Sequence, residues 1–194
     1  MILRAFLSLF LALGIISCSG PVETTAVKTD NYFDLIGLLD AQSALLFEKG
    51  AVLQKKLMAN GEVESMSVRP DSTGQIKAEL KLFYEADINK LGLDDAYFTE
   101  ELPGINGARK VINTAKRAGP NVRMIEYDYF QGKINQIRVL VEDKNDIYTF
   151  EKEMTMSFES VDGDEIMTGY TIKGKQRMVM KSDLNFSLEG SFSR

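Results

Sequence analysis

From Tyr148 to Phe158 the chain alternates with a period of two. Tyr148, Phe150, Met154, Met156 and Phe158 share one side with a single intruder, Lys152, and Thr149, Glu151, Glu153, Thr155 and Ser157 fill the other. Such a period belongs to a β-strand, since a helix repeats about every 3.6 residues. One apolar side and one polar side further require a sheet with one face on a core and the other in water, which is the habit of antiparallel sheets. The same alternation recurs in Ile125, Tyr127, Tyr129, in Ile137, Val139, Val141, in Tyr170, Ile172 and in Leu184, Phe186, Leu188, Phe192. Turns are expected at Gln131-Gly132, Lys144-Asn145, Asp162-Gly163 and near Ser182-Asp183. From Ala108 onward the pattern therefore predicts an antiparallel meander of about six strands.

The first half has a different rhythm. Asp30 is placed to cap a helix in which Leu35, Leu38, Leu39, Leu45 and Leu46 recur near helical spacing, with Gln42 interrupting the stripe. Lys49-Gly50 supplies the basic residue and glycine that commonly close a helix. Val52–Met58 and Val63–Val68 flank Asn60-Gly61, a hairpin signal because both turn positions take positive φ. The competing expectation is that the first helix runs on through Leu57. Ser72 and Gln75 form a capping box for a second helix, with Ile76, Leu80, Phe83, Asp87 and Leu91 on one stripe and Gly92 at its end. Asp94 to Asn106, with Pro103-Gly104, is expected to be a polar linker. The whole predicts an α+β fold: a curved antiparallel sheet of about six to eight strands with two helices from the first half covering one face.

The N-terminus carries an address. After Met1-Ile2-Leu3-Arg4 comes an apolar run from Ala5 to Ile16, broken only by Ser8 and Gly14 and ending at Ile15-Ile16-Ser17-Cys18. The run is shorter than the roughly 20 apolar residues a membrane-spanning helix needs, and it has the length of a signal-peptide core. Ile15-Ile16-Ser17-Cys18 resembles the lipobox of bacterial lipoproteins. The resemblance implies diacylation of Cys18, cleavage before it, acylation of the new amino end with a palmitate-like chain, and attachment to a membrane through that lipid. On this reading residues 1–17 are a lipoprotein signal peptide, 18–31 are the lipidated cysteine and a tether, and 32–194 form a single α+β domain.

Composition removes several functional classes. The formal charge is −5, and losing residues 1–17 removes Arg4 and no acid, so the mature chain is at −6. A mildly acidic protein with no basic stripe is a poor partner for nucleic acid, and none is expected. Histidine and tryptophan are absent and Cys18 is the only cysteine. With that cysteine acylated, a disulfide within the monomer is excluded and the usual transition-metal ligands are gone. Ser-His-Asp and Cys-His catalysis is excluded as well. No phosphate-binding glycine loop is present, so no cofactor is expected. A calcium loop starting at Asp143 fails at Tyr148, where glycine is needed, and at Met154, where glutamate is needed. Adjacent acids such as Asp94-Asp95 and Glu100-Glu101 read as solvated loop residues, and the chain is expected not to be an enzyme.

Two features remain as candidates for ligand binding. Lys152 is a cation within an apolar series, suited to a ligand carboxylate or phosphate if it faces a cavity and unremarkable if its stem snorkels outward. Met154 and Met156 supply adaptable apolar surface, as do Met178 and Met180. The expected function is that of an envelope lipoprotein binding an apolar small molecule or acting as a carrier. The alternative is an assembly partner that docks on another envelope protein through its sheet face or an edge strand. The element order resembles the periplasmic lipoprotein carriers and outer-membrane lipoprotein receptors, which have an unclosed barrel under a helical lid. Tyr32-Phe33-Asp34-Leu35, Asn60-Gly61-Glu62, Asp87-Ile88-Asn89-Lys90 and the Gly169-Tyr170-x-Ile172 strand resemble small outer-membrane lipoproteins of unassigned role in Bacteroidota. That likeness implies a protein on the outer membrane, facing the periplasm.

Overall fold

In the computed structural model, which describes residues 30–161, 163–179 and 183–193, the alternating half of the chain forms six successive strands. Cys18, the signal peptide, Met180 and the turn residues Asp162 and Ser182 lie outside the described residues. The strands are β4 (Ala108–Ala115), β5 (Val122–Phe130), β6 (Lys133–Lys144), β7 (Tyr148–Val161), β8 (Asp164–Met178) and β9 (Leu184–Ser193). Each pairs antiparallel with the next. Gln131 and Gly132, at φ of 51° and 83°, make the tight turn between β5 and β6.

The Asn60-Gly61 signal also forms its hairpin, β1 (Val52–Ala59) against β2 (Glu62–Val68), with φ of 52° and 86° at the turn. The first helix therefore stops before β1 instead of running on through Leu57. The hairpin does not stand alone, because β1 pairs antiparallel with β9, joining the two ends of the domain. A further strand, β3 (Tyr97–Pro103), lies on β4, within the segment expected to be a polar linker. Only Tyr97 of its residues is buried, so the alternation that reveals a strand is missing there. The described residues thus form one open sheet of nine strands, above the expected six to eight, in the order β2-β1-β9-β8-β7-β6-β5-β4-β3.

Register lays the apolar residues in continuous rows on one face. Tyr127, Ile137, Met156 and Tyr170 make one row, and Ile125, Val139, Met154 and Ile172 the next. All eight are buried. The opposite face carries Glu126, Arg138, Thr155, Thr171 and Glu189 in a row of its own.

The helices cover the apolar rows. α1 (Leu35–Glu48) is capped by Asp34 rather than Asp30, through a bond from Gly37 N to Asp34 Oδ1 of 2.9 Å. A Cβ at position 37 would stand 2.3 Å from the Asp34 carboxylate, so any larger residue there would displace the capping side chain. Leu35, Leu39 and Leu46 face the sheet, and Gln42, which breaks their stripe, spans the backbone of β8. Its Nε2 donates to Glu165 O at 2.7 Å and its Oε1 accepts from Met167 N at 2.8 Å. The helix ends where expected, with Lys49 at its cap and Gly50 at φ 63°.

The second helix is shorter than its stripe suggests. It breaks at Leu80 into α2 (Thr73–Glu79) and α3 (Lys81–Glu85), and ends seven residues before Gly92. Leu80, at the break, and Phe83, beyond it, are both fully buried. Beyond α3, Asp87, Ile88 and Asn89 are buried as loop, where Asn89 donates to Tyr32 O at 3.1 Å and Phe33 O at 3.0 Å. Leu91, expected on the buried stripe, is exposed instead. The forward bond of the capping box forms, Gln75 N donating to Ser72 Oγ at 3.3 Å, while the return bond is displaced by one residue, Gln75 Oε1 accepting from Asp71 N at 3.1 Å. Ser72→Ala is expected to cost about 1 kcal/mol of stability, read from the urea midpoint, while Ser72→Asp retains it.

Candidate functional site

Where α2 crosses the β1–β2 hairpin, the cover over the sheet is incomplete. A crevice of about 380 Å3 remains. Its floor is a cross-strand row, Val68, Leu53 and Phe192, set side by side because Leu53 pairs with Val68 on β2 and with Phe192 on β9. Ile76 and Ala78 of α2 form the other wall, and Met66 and Pro70 stand on the hairpin side. Alternation places these residues: Leu53, Met66 and Val68 point to the helix side while Gln54 and Ser67 point away, joined by a bond of 2.9 Å.

One wall is polar and held firmly. Lys55 Nζ lies 2.7 Å from the Glu79 carboxylate, and Tyr170 donates its hydroxyl to the same group. Glu79 thereby ties α2 to β1 and β8 together. Burial pushes the Tyr170 phenol above the usual tyrosine range, and the neighbouring carboxylate adds to this. The geometry depends on Gly190, since a Cβ there would lie 2.3 Å from the Tyr170 ring. A glycine mid-strand is otherwise unfavourable, and here it makes room for the ring crossing β9.

The residues marked by the sequence sit elsewhere. Met154 and Met156 are fully buried in the core between sheet and helices. Lys152 is on the same side of β7 but beyond the helical cover, in the row Val141, Lys152, Gly174, Phe186. It is half-buried, with Nζ 5.7 Å from the centre of the Phe150 ring. Desolvation lowers its pKa below the ordinary lysine value, and the Glu85 carboxylate works in the opposite sense. No carboxylate lies within ion-pair distance of Lys152 among the described residues. Cys18 falls outside them.

The wet face has its own groove, of about 770 Å3. Glu142, Glu151, Lys175 and Asn185 line one side, and Leu140, Glu153, Lys173, Ser187 and Met58 the other. By register, Val141, Lys152, Gly174 and Phe186 supply its backbone floor, so the groove crosses four strands. Opposite charges face each other between β7 and β8, as Glu151 with Lys175 and Glu153 with Lys173, while Glu142 and Glu151 form a like-charged pair between β6 and β7.

Among the described residues no group of three or more His, Cys, Asp or Glu is placed to hold a metal ion. No helix among them is long and apolar enough to cross a membrane. Compared with family models and with curated proteins, the chain matches none. Sequence reasoning missed the crevice because its walls come from α2, β1, β2 and β9. Only the apolar alternation of each strand hinted at its lining, and nothing in the chain said which strands would be neighbours.

Proposed function

We propose that the chain is a bacterial envelope lipoprotein, acylated at Cys18, whose domain binds an apolar small molecule between α2 and the β1–β2 hairpin. The observation that carries this reading is the apolar crevice of about 380 Å3 at the edge of the sheet–helix interface, larger than the cavity of about 170 Å3 that Leu46, Ile166 and Met167 line. That volume lies in the usual range for small-molecule sites, roughly 300–1,000 Å3. Met66 on its wall is a flexible side chain suited to adaptable contacts. The ion pair at Glu79 is engaged in holding α2, so the role assigned is binding and carriage rather than catalysis. On this reading the domain lies in the periplasm beneath the outer membrane, which the lipobox-like Ile15-Ile16-Ser17-Cys18 and the resemblance to outer-membrane lipoproteins support.

The test is direct. Organic extracts of the purified protein are expected to contain an apolar molecule, and the emptied protein is expected to bind N-phenylnaphthylamine with a rise in fluorescence. Val68→Phe fills the crevice floor and should weaken that binding by about tenfold or more, since the displaced contacts are worth roughly 1–3 kcal/mol. Unchanged probe affinity in a folded Val68→Phe protein would assign the ligand to another place. A second reading, docking on an envelope protein through the wet face, is favoured by the groove of about 770 Å3 there. Photo-crosslinking from position 140 to a single envelope protein would support it, and crosslinking to none would dismiss it.

A further inference from the structure

The two rims of the sheet both carry exposed apolar residues, and the position of the tether distinguishes them. Tyr97, Val122, Lys144, Tyr148, Met178 and Ala59 define one rim by register. Ile147, 65% exposed, and Val179, 62% exposed, project beyond it and are joined by a bond from Val179 N to Ile147 O of 3.0 Å. Leu91, 73% exposed, adjoins the loop 92–96, which lies against Arg117, Gly119 and Pro120 in the β4–β5 connection at the same end. The opposite rim carries Ile105, 83% exposed, in the turn after β3.

The chain enters the domain at the first rim. Asn31 Nδ2 donates to Asp94 O at 3.1 Å, and the Tyr32 ring packs edge-on to Tyr97 with centroids 5.6 Å apart. The residues between Cys18 and Asn31 span at most about 45 Å when fully extended. From β3 to β7 is four strand spacings, about 19 Å, well within that reach. Setting the opposite rim on the bilayer would instead draw the tether back along the strands, by about 25 Å at β3 and about 45–50 Å at β8.

We propose that the rim bearing Leu91, Ile147 and Val179 is a second membrane contact, dipping these side chains into the bilayer that holds the Cys18 lipid. The inference rests on the lipid-anchor reading. Three apolar side chains would not hold a free protein on a membrane. A tether raises their effective concentration at the surface, so a weak contact is enough to set orientation. The contact proposed is made by the apolar side chains, and Lys175 and Arg177 at this rim are turned to Asp183, at 3.4 and 3.7 Å. Insertion of apolar side chains is little changed by salt.

The acylated Cys18 has no free thiol, so Ile147→Cys, Leu91→Cys and Ile105→Cys each give the full mature lipoprotein one site for an environment-sensitive fluorophore. In vesicles of phosphatidylethanolamine and phosphatidylglycerol, labels at 147 and 91 are expected to brighten several-fold, shift to the blue and be quenched by nitroxide lipids. The label at 105 should stay in water, and high salt should change none of these signals. Vesicle-bound protein whose 147 label is as wet as its 105 label overturns this inference alone. Protein that fails to float with the vesicles overturns the anchor reading and the inference with it.

Discussion

Cys18→Ser is expected to move the protein almost entirely from the membrane to the soluble fraction and to abolish incorporation of labelled palmitate. The size of the effect follows from the anchor. Each buried methylene contributes about 0.8 kcal/mol, one acyl chain binds only marginally, and two or three chains on one residue make release negligible. The run from Ala5 to Ile16 is too short to span a bilayer, and no described helix is long and apolar enough to cross one. Leu91, Ile147 and Val179 orient a tethered domain but are too few to retain a free one. Continued palmitate labelling in Cys18→Ser, or unchanged membrane retention, would refute the assignment.

Gln42→Leu is expected to be the most damaging conservative-sized change in the domain. The side chain satisfies two backbone groups of β8, the Met167 N–H and the Glu165 carbonyl. Met167 is fully buried, so water cannot take over. Losing a partner for a buried polar group costs about 1–3 kcal/mol, which gives roughly 2–4 kcal/mol for the pair. For a domain of this size the thermal midpoint falls by about 5–15 °C. Gln42→Glu should not rescue it at neutral pH, because a carboxylate has no hydrogen to donate to Glu165 O. Facing a carbonyl in a buried site, that glutamate would have a raised folded-state pKa. The variant would therefore be most stable below the unfolded glutamate pKa and lose stability as pH rises through the folded one. Unfolding of Gln42→Leu at the wild-type urea midpoint would show that α1 does not depend on this clasp.

The same glutamine shows what could be read from the chain and what could not. Its place on the apolar stripe of α1 was visible as an interruption, yet its partners on β8 are over a hundred positions away. The late strands were legible because burial on one side writes a period of two into Tyr148–Phe158. β3 was not, because an edge strand beyond the helices buries only Tyr97 and has no alternation to display. The end of the second helix was misplaced because Leu80 and Phe83 continue a helical spacing through a break. Leu91 continues it into a loop that carries the residue into solvent. Lys152 was conspicuous because it violates a pattern, and the structure gives it a half-buried position beside Phe150. The crevice was invisible, because its floor exists only once β2, β1 and β9 lie side by side.

That last adjacency also governs when the molecule can fold. β1 is made early and its sheet neighbour β9 is the last of the described strands, so Leu53 must wait for Phe192, far along the chain. Closing so long a loop carries an entropic cost that only late contacts repay, and folding dominated by distant pairings is slow. A chain cut short before β9 lacks the strand that joins the hairpin to the meander. It exposes the edge of β8 and that of β1 at once, two unpaired edges prone to association. A chain of this topology remains unlocked until β9 arrives, so the hairpin and the meander stay separate bodies for most of the folding reaction.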